Sequence, residues 1–252
     1  MLKAVLFDLD DTLIDWTGFD HGWEAHDREL LQGVFRYVNN EVCALEDFDS
    51  LVLAFRECSR LAWENGRSSL RAPHLGRVMV DTLLAAGVPA EGIDERRCLE
   101  AYNWGAVPGV QTFPEVPAVL ELLIEHEVRI GIVTNAHQPM WMRDRELEQL
   151  GLLDYFPDCR IAAADAGYLK PHPHIFERAL ELLGVQAEET VFIGDNPVAD
   201  IAGAQGAGLK AVLRVRKPMS PMLSGLIVPD YAIHSMQELP GILDEWYPGW
   251  RE

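Results

Sequence analysis

Leu2-Lys3-Ala4-Val5-Leu6-Phe7-Asp8-Leu9-Asp10-Asp11-Thr12-Leu13 carries an apolar, β-prone run straight into three carboxylates within four residues. Such a run reads as a strand buried in a parallel sheet. In open α/β sheets the ligand crevice lies outside the carboxyl ends of the strands, which is where these acids emerge. Period-two alternation puts Asp8 and Asp10 on the same side of the chain. Two such carboxylates repel each other unless a cation or a shared proton lies between them. Alone, the stretch could be an acidic turn, so its meaning depends on the rest of the chain.

Working outward, Leu13 to Trp23 mixes Gly18 with Trp16, Phe19 and Trp23, as a linker leaving the core would. From there to about Ala106 only helical periodicity is visible. Leu30, Leu31, Val34, Phe35 and Val38 form one stripe, and Phe48, Leu51, Val52, Phe55, Cys58 and Ala62 form a second, with a stop expected at Gly66. Val107-Pro108-Gly109-Val110 and Phe113-Pro114 mark the return. Beyond them helix and strand alternate. The strands are Val128–Thr134, Arg160–Ala163, Thr190–Gly194 and Leu209–Val215, with helices from Met140 to Leu150, around Phe176–Leu183 and from Val198 to Ala207. A surface loop is expected over Arg216–Pro229, then Tyr231-Ala232-Ile233 and a helix over Ser235–Trp246. This pattern predicts an α/β protein: a doubly wound parallel-sheet (Rossmann-like) core, residues 1–15 and 111–252, with an inserted α-helical bundle at 16–110.

The chain has 252 residues, 48% of them hydrophobic and 24% charged, enough for a full core and a smaller unit. Its net charge of -19 opposes binding to nucleic-acid polymers or anionic membranes, so an anionic substrate would need a local cation. Cys43, Cys58, Cys98 and Cys159 are scattered, without zinc or disulfide spacing, which suits reduced thiols in a cytoplasm. No secretion signal or stretch of bilayer length is apparent, so a cytoplasmic location is expected and oligomeric state is left open.

Three later segments deliver polar groups to strand ends: Thr134-Asn135, Lys170-Pro171, and Gly194-Asp195-Asn196-Pro197-Val198-Ala199-Asp200. Each alone has an ordinary explanation in a turn, a cap or a solvated side chain. In this order, with a helical insertion after the first acidic motif, they resemble the haloacid dehalogenase-like hydrolase superfamily, in the branch with a helical cap between its first and second motifs. The resemblance covers Met1 to about Asp15, about Val110 to Val215, and the position of the cap but not its sequence.

The resemblance implies a phosphatase. Asp8 would be the nucleophile, forming an aspartyl-phosphate, and Asp10 the general acid and then base. Mg²⁺ would be held by Asp8, Asp195 and the Asp10 backbone carbonyl, with Asp200 supporting it indirectly. Lys170, the Thr134 hydroxyl and the Asn135 amide would stabilise the transferring oxygens. Asp11 would face solvent or cap a turn, and Thr12 would brace the loop. The substrate would be a small soluble phosphate such as a sugar phosphate or nucleoside monophosphate. A phosphomutase could use the same site. A dehalogenase, which has no alkoxide to protonate, would not need Asp10, and a non-catalytic binding module would not need to keep the whole set.

Arg56, Arg60, Arg67, Arg71 and Arg77 cluster in the insert. They form either a solvated face balanced by acids such as Glu57 and Glu64, or a grip for a second anionic group of the substrate. Trp16, Trp23, Trp63 and Trp104 read as packing at the insert and its hinge. Among the histidines, His137 is the one expected near the site, His172 and His174 belong to the loop presenting Lys170, and His21, His26 and His74 could reach substrate only from the insert.

Overall fold

The structure, a computed structural model, describes residues 1–216, 222 and 225–252, so the loop expected over Arg216–Pro229 lies partly outside the described residues. The elements run β1 (Ala4–Phe7), β2 (Ile14–Asp15), α1 (Trp23–Glu41), α2 (Phe48–Ser69), α3 (Leu75–Ala85), α4 (Glu95–Tyr102) and β3 (Gln111–Thr112). They continue with α5 (Val116–Glu125), β4 (Arg129–Thr134), α6 (Met140–Gln149), β5 (Arg160–Ala162), α7 (Ala163–Ala166), α8 (Pro173–Leu183), β6 (Thr190–Gly194), α9 (Gly203–Gly206), β7 (Lys210–Arg214), β8 (Tyr231–Ile233) and α10 (Leu239–Trp246).

Six parallel strands form one sheet in the order β5-β4-β1-β6-β7-β8. Strand β1 is central because all four of its residues are apolar and buried. Its alternation builds both core layers. Val5 and Phe7 pack with Ile130, Ile132, Val191, Ile193 and Val212 on one face, while Ala4 and Leu6 pack with Val133, Phe192, Ala211 and Leu213 on the other. Burying each large aliphatic or aromatic chain contributes about 1.5–3 kcal/mol. The sheet order reverses direction at β1, so the crevice of a doubly wound fold opens at the carboxyl end of the strand that delivers Asp8.

Helices α1 to α4 fill the chain between β2 and β3, and the expected stripes are their buried faces: Leu31, Val34 and Val38 on α1, and Leu51, Val52 and Phe55 on α2. Helix α2 starts where the Asp47 carboxylate accepts from the Ser50 amide at 2.8 Å. It does not stop at Gly66. It runs through that residue and ends at Leu70, whose φ is 58°, because Gly66 serves close packing: a Cβ there would lie 2.9 Å from the Arg71 carbonyl oxygen. The helix expected over Val198–Ala207 is instead a π-helical segment, Pro197–Ala202, followed by α9. The Asn196 side chain sets it by accepting from the Val198 and Ala199 amides, both at 3.0 Å. Among the described residues no helix is long and apolar enough to cross a membrane.

The two connections between sheet and insert touch backbone to backbone. Strands β2 and β3 pair antiparallel, Ile14 with Thr112 and Asp15 with Gln111, and just beyond them Gly18 faces Gly109. A Cβ on Gly109, whose φ is +85°, would sit 2.1 Å from the Gly18 carbonyl oxygen. Gly109→Ala should therefore destabilise the protein by about 2 kcal/mol or more, since left-handed backbone alone costs about 1–2 kcal/mol and the clash adds to it. Thermal unfolding checks this, and an unchanged midpoint would show that the two connections can separate at no cost.

Candidate active site

Four strand ends bring the expected polar groups together at the β1 crevice. Asp8 leaves β1 buried, and the Lys170 ammonium reaches it from the loop before α8. Lys170 Nζ donates to Asp8 Oδ1 at 2.6 Å and to the Val133 carbonyl oxygen at 2.8 Å, and forms an ion pair with Asp200 Oδ1 at 2.8 Å. Burial works to lower the ammonium pKa, but Asp200 and Asp8 outweigh it and hold the group charged. The loop carrying Lys170 is fixed by Asn135, whose Oδ1 accepts from the Lys170 amide at 2.7 Å and whose Nδ2 donates to the Lys170 carbonyl at 3.2 Å. Asp200 is packed against Gly194, where a Cβ would sit 2.4 Å from its carboxyl group. Its Oδ2 accepts from the Asn196 amide at 2.8 Å.

Oxygens of Asp8, Asp195 and Asp200 lie within 4.8 Å of one another, a hard all-oxygen donor set suited to a divalent cation. Their electrostatics ask for one. Burial pushes the Asp8 carboxyl well above the usual carboxylate range, against the pull of Lys170, and Asp200 and Asp10 add to the rise. Burial also raises Asp195 to about 7, with Asp200 and Asp11 contributing. A single ammonium does not balance three carboxylates in so small a volume.

Asp10 follows a different course from Asp8. Its Oδ1 accepts from Trp16 Nε1 at 3.0 Å and from Arg143 Nη2 at 2.8 Å, while Oδ2 accepts from the Thr134 hydroxyl at 3.3 Å. Thr134 is thus committed to Asp10 and, through its Oγ, to the Ala136 amide. Arg143 is buried and pairs through Nε with Glu146 Oε2 at 2.8 Å, and that oxygen accepts from Trp104 Nε1 at 3.1 Å. Burial raises Glu146 to about 7, although Arg143 opposes the shift. Both connections to the insert, at Trp16 and at Trp104, are therefore tied to Asp10. Arg143 and Glu146 are absent from the set expected from sequence. Two opposite charges three apart on α6 carry no distinguishing signal in the sequence, because Arg145 and Glu148 on the same helix have the same spacing.

A cleft of about 530 Å³ opens from Asp10, Asp11 and Asn135 toward the insert, and His137 and Arg143 line it. Asp11, with φ of 59°, turns into this cleft and stands 3.9 Å from Arg216. The buried Thr12 braces its loop through its carbonyl, which accepts from Arg214 at 2.7 Å. His172 caps α8 and stacks on Tyr168, and His74 caps α3. None of the five clustered arginines lines the cleft. Arg60 pairs with Glu57 and Glu64, and Arg56 with Glu24, as a solvated face would.

The chain matches the profile of haloacid dehalogenase-like hydrolases over residues 2–208. It is 29% identical over 246 residues to an N-acylneuraminate-9-phosphatase of Rattus norvegicus, covering 96% of this chain and 94% of the relative. It is 32% identical over 213 residues to a ribulose-1,5-bisphosphate 5-phosphatase of Halopiger xanaduensis, covering 84% of each. Among solved structures, a 2-haloacid dehalogenase from Pseudomonas syringae pv. Tomato DC3000 superposes with a TM-score of 0.66 at 31% identity, over 98% of this chain and all of that one. With its parallel sheet, its acidic strand ends and this match across most of its length, the chain belongs to the haloacid dehalogenase-like hydrolases.

Proposed function

We propose that this protein is a phosphatase of small phosphorylated metabolites that works through Asp8 with Mg²⁺, inside the cytoplasm. Relatives named as phosphatases support the reaction class. The observation that carries the mechanism is the buried Asp8 carboxylate, held by Lys170 beside Asp195 and Asp200. Asp8, Asp195 and the Asp10 backbone carbonyl would hold Mg²⁺, with Asp200 bracing Lys170 and the loop. The ion would screen the repulsion between carboxylate and phosphate and bind a phosphate oxygen.

The free Asp8 oxygen attacks phosphorus while Lys170 keeps the other oxygen oriented, and the bond to the departing alkoxide breaks. Asp10 gives that alkoxide a proton. Its Oδ1 already accepts two N–H donors, so transfer would run through Oδ2, the oxygen that meets the Thr134 hydroxyl. Water then attacks the aspartyl-phosphate, Asp10 Oδ2 takes back a proton, and phosphate leaves with Asp8 restored. Helices α1 to α4 act as the cap, residues 16–110, that covers the site and excludes water.

The likeness to a dehalogenase structure favours a second reading, halide displacement by the same Asp8. The carboxylate cluster weighs against it, since that chemistry has no dianion to screen. Release of phosphate from p-nitrophenyl and alkyl phosphates, set beside halide release from 2-chloropropionate, separates the two. In the same assay Asp10→Asn should slow alkyl phosphates by about 10²–10⁴-fold and p-nitrophenyl phosphate far less, because only the poor leaving group needs the proton. Equal losses would remove Asp10 as the acid, and halide release without phosphate release would favour the dehalogenase.

A further inference from the structure

The cleft beyond Asp10 has a composition that the reaction itself does not require. Six aromatic rings line it: Trp16, Phe19, Trp23, Phe55, Trp63 and Trp104. Trp23 is 49% exposed, although it stands at the start of α1 and packs on Trp16, Phe19 and Trp104 at centroid distances of 5.1, 4.8 and 6.4 Å. A large ring left half in water at a cleft wall has a use there rather than in the core.

The charges in the cleft are acidic. Asp27 reaches the wall from α1, its Oδ1 accepting from the Tyr102 hydroxyl at 2.9 Å, and Asp10 and Asp11 stand at the inner end. Among the described residues that line the cleft, Arg143 is the only lysine or arginine. Its guanidinium is committed to Asp10 and Glu146 and already faces the Trp104 ring at 5.8 Å. His137 is held neutral, burial having lowered it to about 4. Burial raises the Asp27 carboxyl pKa, and Tyr102, His26 and Arg56 pull against it. Arg56 itself stays outside the cleft and pairs with Glu24 at 3.3 Å. A second anionic group on the substrate would meet carboxylates and the negative faces of aromatic rings. A cation would be attracted by both, and aromatic rings with a nearby acid are how proteins hold ammonium groups.

We propose that the alcohol half of the substrate carries an ammonium group, making the substrate a phosphomonoester of an amino alcohol whose cation lies against Trp23 and Trp16, with the buried Trp104 behind them, and is balanced by Asp27. This rests on the phosphatase reading for the phosphate half alone. The phosphate meets Lys170 and the metal ligands, and the ammonium meets the aromatic wall, so the two ends of the substrate are sorted by charge.

The test pairs each cation with its uncharged isostere on the intact protein. Choline and 3,3-dimethylbutan-1-ol are titrated against tryptophan fluorescence, and phosphocholine and 3,3-dimethylbutyl phosphate are compared in turnover with Mg²⁺. The cationic member should bind about tenfold more tightly and show about tenfold higher kcat/KM, carried by KM more than kcat. Asp27→Asn and, separately, Trp23→Leu should each move both ratios toward one. Equal or better performance by the neutral member in both assays overturns the proposal, as does a preference for a bisphosphate over phosphocholine. Preferential binding of choline with no phosphate released from any ester would overturn the phosphatase reading and leave the cation site standing.

Discussion

Asp8→Asn should lower phosphate release by roughly 10⁴-fold or more, the loss expected when a nucleophile is removed and only binding and electrostatic groups remain. Asparagine keeps the shape of the side chain and can still accept from Lys170 through its carbonyl oxygen. It cannot form the acyl phosphate. The fold should survive, because burial already disfavours an ionised Asp8 and the Lys170 charge keeps Asp200 at 2.8 Å. Circular dichroism and a melting curve close to the parent's would show that the loss is chemical. Turnover within tenfold of the parent would mean that water attacks phosphorus directly and that Asp8 serves the metal alone.

The sheet is legible in the sequence because its strands are short apolar runs ending in Asp, Thr-Asn or Gly-Asp, and periodicity needs no tertiary information to reveal them. The contacts of Asp8, Lys170, Asp195 and Asp200 follow from the same property, since parallel strands deliver their ends to one edge. Three features are not legible, each for its own reason. Gly66 reads as a helix stop, yet the lack of a Cβ serves contact with the segment at Arg71, and sequence alone does not distinguish the two uses. The partners of Asp10 are hidden because its two N–H donors, Trp16 and Arg143, come from distant segments of the chain. The arginines of the insert are visible as a cluster, whereas the aromatic wall is dispersed over residues 16 to 104 and becomes a surface only once α1 and α2 have packed.

Chelation should abolish activity and Mg²⁺ should restore it, and the same ion should change stability in a pH-dependent way that activity cannot mimic. In the metal-free protein Asp195 holds its proton more tightly than in the unfolded chain, where the value is near 3.8, because burial lifts it to about 7. A carboxyl raised on folding contributes its stability in full below the unfolded value and loses it as pH climbs through the folded one. Metal-free protein should therefore lose stability between pH 4 and pH 7, with Asp8 acting in the same direction. A divalent cation binds the ionised carboxylates and reverses the trend, so Mg²⁺ should raise the melting temperature little at about pH 5 and clearly at about pH 8. If the gain at the higher pH is roughly 2 kcal/mol, the midpoint of a chain this long moves by about 4–8 °C. Asp195→Asn should flatten the metal-free pH profile and remove most of the Mg²⁺ response. A parent protein whose melting temperature ignores Mg²⁺ at that pH, with activity intact in excess chelator, would mean that Lys170 alone offsets the carboxylates and that the acidic cluster holds no ion.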